Sequence, residues 1–109
     1  MAEKSELLPG TLDMLILRVL SRGELHGWGI TNRLEQLSQS ALQVDEGSLY
    51  PALYRMEDKG WIEAEWRVTE NNRRAKYYSL TRAGRKQLEK EQELWERMSA
   101  IITTVMQTA

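Results

Sequence analysis

Gly47-Ser48-Leu49-Tyr50-Pro51-Ala52-Leu53, followed just past Gly60 by Ile62-Glu63-Ala64-Glu65-Trp66-Arg67-Val68-Thr69, decides the fold. The first run reads as the start of a helix. Ser48 is placed to cap it, and Pro51 falls in the first turn, where a missing N–H costs nothing. Leu49, Leu53 and Met56 recur at i, i+4 and i+7 as one inward stripe, and Gly60 ends the helix. In the second run, Ile62, Ala64, Trp66 and Val68 alternate with Glu63, Glu65, Arg67 and Thr69, the period of a half-buried strand. Glu70-Asn71-Asn72-Arg73 reads as a turn, and residues 76–80 as the returning strand, with Tyr77 and Tyr78 on opposite faces.

Upstream of this helix and hairpin, Leu12, Leu15, Ile16, Val19 and Leu20 mark one face of a helix over residues 11–21, with Thr11 as its N-cap and Gly23 beyond its end. A second helix is expected from about residue 27 to 37, with Ile30, Leu34 and Leu37 inward. Downstream, Thr81 caps a long final helix running almost to the end. Its stripe is Leu88, Trp95, Met98, Ile102 and Val105, with Leu94, Ile101 and Met106 beside it, and from Trp95 onward the spacing is that of a heptad seam. Three helices, a hairpin and a long helix, in that order, make a mostly helical α+β chain. They describe a winged helix-turn-helix with a C-terminal dimerisation helix: residues 1–81 form the winged unit and 82–109 the dimerisation helix.

Composition narrows the chemistry. With 109 residues the chain is expected to build one core. It has no Cys, which removes disulfides, thiolate zinc sites and cysteine nucleophiles. No apolar run is long enough to span a membrane, no signal peptide is read at the N-terminus, and a cytoplasmic location is the expectation. No Ser-His-Asp order, Gly-rich phosphate loop or metal-ligand spacing is present, so neither an enzyme nor a cofactor or metal is expected. The net charge of −1 is unevenly spread: residues 46–86 carry nine basic and six acidic side chains, while the flanks are acidic. Charge distribution matters more than its sum for a nucleic-acid partner.

Leu8-Pro9-Gly10-Thr11-Leu12, Leu25-His26-Gly27-Trp28-Gly29-Ile30, the Gly47 to Leu53 run and Arg74-Ala75-Lys76-Tyr77-Tyr78-Ser79-Leu80-Thr81 occur in an order and spacing that resembles the PadR family of bacterial transcriptional regulators. The resemblance covers nearly the whole chain and matches the branch with one dimerisation helix. Its one departure is Trp28, where the family commonly has Tyr. It implies a homodimeric repressor that binds double-stranded DNA.

Each candidate residue has a plainer alternative. Ser48 is a helix cap or a phosphate contact, or both. Tyr50, Tyr54 and Arg55 lie off the inward stripe and, with Ser48 and Pro51, form either a solvated face or the face that reads DNA. Asn72, Arg73, Arg74 and Lys76 form either a solvated basic turn or a wing tip gripping phosphates. His26, the only His, reads as a local cap or packing residue. Leu8, Leu12, Leu88, Trp95, Met98, Ile102 and Val105 are the expected dimer contacts. Trp95, Met98 and Ile102 have a second reading as a pocket for a small aromatic effector. A protein-docking adaptor is the rival to a DNA-binding repressor acting on an inverted-repeat operator.

Overall fold

The computed structural model describes residues 10–109, so the expected contact at Leu8 lies outside the described residues. The elements are α1 (Thr11–Leu20), β1 (Leu25–His26), α2 (Gly27–Leu37), α3 (Glu46–Asp58), β2 (Ile62–Val68), β3 (Arg74–Leu80) and α4 (Arg82–Thr108). They form the expected winged helix-turn-helix with a long C-terminal helix. The sheet has the order β1-β3-β2 and is antiparallel throughout. β1 is an addition to the expected elements: two residues pair Leu25 with Tyr78 and His26 with Tyr77, too short a strand to show a period.

The core gathers Ile16, Leu17 and Leu20 of α1, Ile30 and Leu34 of α2, Leu49, Leu53 and Met56 of α3, Ile62 of β2, Tyr78 of β3 and Leu88 of α4. α1 is central and buries side chains on most of its circumference. Leu37, expected to face inward, is 59% exposed at the last turn of α2, and the following loop folds Leu42 into the core instead.

Three helix starts differ in detail. α1 begins at Thr11 with Gly10 as its N-cap, at φ +86°, a conformation that a residue with a Cβ resists. α2 is capped by His26, whose Nδ1 accepts from the Gly29 N–H at 2.9 Å, as expected of a local cap. α3 begins earlier than its sequence suggests: Asp45 is the N-cap, and its Oδ1 accepts from the Ser48 N–H at 2.8 Å. Ser48 is therefore a first-turn residue, and Pro51 falls in the second turn rather than the first. Pro51 leaves the Gly47 carbonyl without its helical N–H, and both residues are exposed, so water can satisfy that oxygen. Two further boundaries fall where they were expected: Gly60 takes φ +77° beyond the end of α3, and Thr81 caps the start of α4, its Oγ1 accepting from the Gly84 N–H at 3.0 Å.

Gly84 and Leu88 are the buried residues of α4. The Cα radius of gyration is 15.5 Å, against roughly 13 Å for a compact chain of this length, and the longest axis is 57 Å. From Glu91 to Ile102 the helix still flanks α1.

Candidate nucleic-acid interface

The hairpin register builds one surface from core to tip. Cross-strand pairs share a face, and Ile62–Leu80, Ala64–Tyr78, Trp66–Lys76 and Val68–Arg74 follow one another along it. Ile62 and Tyr78 are buried, whereas Trp66 is 58% exposed. The alternation read as a half-buried strand is thus buried only at its base. Past Ala64 the sheet extends beyond the core, and its inner face looks across a groove toward α3.

That groove has a volume of about 450 Å³ and is lined by Tyr50 and Tyr54 of α3, Trp28 of α2, Trp66 of β2, and Arg73, Arg74 and Lys76 of the wing. It joins Tyr50 and Tyr54 with Arg73, Arg74 and Lys76, members of the two groups that the sequence singled out separately, while Asn72 lies outside its lining. Tyr54 is 68% exposed on α3. Arg74 places its guanidinium carbon 5.2 Å from the Trp66 ring centroid. Asn72 takes φ +59° in the turn, which closes through Thr69 N–H to Arg73 carbonyl (2.7 Å) and Asn72 N–H to Thr69 carbonyl (2.9 Å). Asn suits that left-handed position better than a β-branched residue.

Two expected members are held in ion pairs within the chain. Lys76 is not at the tip. Two residues into β3, its Nζ donates to Glu57 Oε1 of α3 at 3.0 Å and lies 5.6 Å from the ring centroids of both Tyr54 and Tyr78. The Glu57 hydrogen bond raises the ammonium above the ordinary lysine range, and Lys76 thereby ties the wing to α3. Arg55 turns toward α1, where its Nη2 donates to Asp13 Oδ1 at 2.5 Å. Ser48 and Pro51 are exposed near the start of α3, outside the groove lining.

Sequence reasoning overlooked Trp28, Trp66 and His26 as surface features of this groove. Trp28 is 70% exposed, and the His26 ring lies 6.1 Å from it and 5.2 Å from Tyr77. The available signal was the aromatic count itself: four Trp in a chain this small exceed what one core can cover.

A second hollow, of about 270 Å³, lies between α1 and α4. Trp95, Met98 and Ile102 line it with Leu94, Glu91 and Met14. Leu94, Trp95, Met98, Ile101, Ile102, Val105 and Met106 are each between 42% and 75% exposed. Leu88 is buried in its own chain's core, and Leu12 is half-buried against that core. Among the described residues no helix is long and apolar enough to cross a membrane, and no group of His, Asp or Glu side chains could hold a metal ion.

Comparison with known proteins agrees with this architecture. The model of the transcriptional regulator PadR-like family matches residues 16–90. A transcriptional regulator from Clostridium thermocellum superposes with a TM-score of 0.83 at 28% identity, covering 92% of this chain and 97% of that one. A PadR-like transcriptional regulator from Bacillus cereus gives 0.79 at 30% identity, covering 96% and 100%. A transcriptional regulator of Mycobacterium tuberculosis is 33% identical over 84 residues, 77% of this chain and 75% of its own length. The chain belongs to the PadR-like family of DNA-binding transcriptional regulators, and it is not an enzyme.

Proposed function

We propose that this protein is a sequence-specific repressor that binds an inverted-repeat operator as a homodimer. The observation that carries the reading is the groove in which exposed Tyr50 and Tyr54 of α3 face Trp66, Arg73 and Arg74 of the wing. Exposed aromatic rings beside a pair of guanidinium groups are costly to keep in water. They suit a duplex, where Tyr can donate to phosphate or touch a thymine methyl and Arg can pair with phosphate or guanine. α3 is the reading helix in the major groove, and the wing lies along the adjacent backbone with Trp66 backing Arg74. A two-fold axis through the α4 seam places two such units on successive half-sites.

The test is binding to a duplex enriched by this protein from a random pool. Affinity should fall steeply with salt, and the enriched sequence should be an inverted repeat. Salt-insensitive binding, or enrichment of no common sequence, would contradict the reading.

A second part of the proposal concerns release. The hollow between α1 and α4 combines an indole, Trp95, with the adaptable side chains of Met98 and Met14, a lining suited to a flat aromatic effector. Such a ligand acts only if it favours one angle between the two winged units over another. Quenching of Trp95 fluorescence by a planar aromatic compound, abolished in Trp95→Leu, is the expected signature.

A further inference from the structure

The wing leaves the core beyond Ala64 and Tyr78, so its angle to α3 depends on what holds it past that point. Ion pairs do so on each of its faces. In the register Lys76 stands opposite Trp66 and Arg67 opposite Ala75, and neighbouring positions on a strand point to opposite faces. On the face toward α3, Lys76 Nζ donates to Glu57 Oε1 at 3.0 Å. On the other face, Arg67 pairs with Glu24, just before β1, and with Glu65 of its own strand. The Arg67 and Glu24 side chains are 41% and 42% exposed, against 26% and 35% for Lys76 and Glu57, so water and salt screen the inner pair less. The Lys76 ammonium also lies 5.6 Å from the ring centroids of Tyr54, on the helix, and Tyr78, at the base of the wing. The cation that ties the wing to Glu57 thus also flanks Tyr54, an exposed ring of the groove.

We propose that Lys76 and Glu57 are positioning residues that fix the angle of the wing against the recognition helix, and so determine how sharply the protein separates one DNA sequence from another. The Lys76 charge is spent on Glu57 rather than on a phosphate, and the pair persists in the complex. Arg73 and Arg74 reach the backbone while Tyr50 and Tyr54 reach base edges only at one width of the groove. A wing free to swing keeps phosphate contacts, which every duplex offers, and loses the register that base contacts need. The inference rests on the DNA-binding reading and names the device that makes its site selective.

The experiment uses the full chain as wild type, Lys76→Met, Lys76→Arg and Glu57→Ala. Affinities for the enriched duplex and for a scrambled one are measured over a range of salt. Both side chains are partly exposed, so the variants are expected to fold. Charge alone predicts opposite signs: losing Lys76 weakens DNA binding and losing Glu57 tightens it. Positioning predicts the same sign in the ratio of the two affinities. Lys76→Met and Glu57→Ala should each lower the preference for the enriched duplex roughly tenfold, about what one lost base contact costs. The salt slope of Lys76→Met should stay that of the wild type. Lys76→Arg, still able to donate to Glu57, should keep the preference. A second readout needs no DNA: cross-relaxation between the Lys76 side chain and the Tyr54 ring protons should be present in the wild type and absent in Glu57→Ala. Equal weakening of both duplexes with a flatter salt slope in Lys76→Met makes Lys76 a phosphate contact and overturns the proposal. A Glu57→Ala variant that binds both duplexes more tightly in equal measure overturns it too. A wild type that prefers no duplex overturns the sequence-specific reading instead, and the Tyr54 cross-relaxation then decides the positioning alone.

Discussion

A methyl group at Gly84 would lie 2.0 Å from the Trp61 carbonyl oxygen and 2.7 Å from Leu80 Cδ1. The first neighbour is backbone and cannot move aside, so Gly84→Ala must shift the start of α4. It is expected to cost at least the upper end of the roughly 1–3 kcal/mol typical of overpacking, read as a lowered denaturation midpoint. Gly27 offers the contrast. A Cβ there would meet the Tyr50 hydroxyl at 2.6 Å, the free end of a side chain that can swing away. Gly27→Ala should keep its fold and lose operator affinity several-fold, because Tyr50 leaves its place in the groove. Glu91 gives a third residue-level expectation, with its sign fixed by burial. Its folded carboxyl sits above the unfolded value, so the neutral form is favoured in the native state. Stability should therefore rise as pH falls through the folded value and level off below the unfolded one. Glu91→Gln should remove that dependence and raise Tm at neutral pH by something on the order of 2 °C.

Among the elements, α3 and the wing test the groove separately. Asp45→Ala removes the cap of α3 and should cost about 1 kcal/mol of stability. The wing's contribution is electrostatic. The sequence grouped Arg73, Arg74 and Lys76, but Lys76 is committed to Glu57, so Arg73 and Arg74 are the pair to remove. Arg73→Ala with Arg74→Ala should weaken enriched and scrambled duplexes alike. It should also flatten the plot of log affinity against log salt by about 0.9 for each phosphate that the wing no longer neutralises. An unchanged slope in a folded protein would mean the wing does not touch the backbone. These elements also show what a sequence can disclose. The stripe of Leu49, Leu53 and Met56 and the alternation from Ile62 fixed a helix and a strand, because burial imposes a period on side chains. Read from Ser48, the start of α3 falls three residues late, because Asp and Ser are comparable caps and only the folded loop selects Asp45. Trp66 was misread for a related reason: alternation shows which face a side chain shares, not how far the core beneath that face extends. The partners of Lys76 and Arg55 were not legible, since Glu57 and Asp13 lie 19 and 42 residues away and carry no local signal.

For the molecule as a whole, the decisive feature is the stretch of α4 whose apolar side chains are left partly exposed among the described residues. Seven apolar residues from Leu94 to Met106, including an indole and two Met side chains, are between 42% and 75% exposed. A seam this apolar is the usual mark of an interface, and its three- and four-residue spacing suits a second copy of the same helix. A dimer is therefore expected at micromolar concentration. Truncation is a poor test of it: a cut after Arg85 would also remove Leu88, which completes the core of its own chain. Ile102→Glu is better, because Ile102 lies several turns beyond that core and, 54% exposed in the single chain, leaves a new charge access to water unless a dimer covers it. The variant should sediment as a monomer while its thermal transition, extrapolated to low protein concentration, stays close to the wild type. Its α3 and wing remain intact, so binding to one half-site persists. What disappears is the second half-site held at high effective concentration, and affinity for the full inverted repeat should fall roughly 100-fold or more. A half-site duplex should be bound about equally by both forms. If Ile102→Glu binds the full repeat as tightly as the wild type while remaining monomeric, α4 does not set operator recognition, and its exposed seam serves another partner.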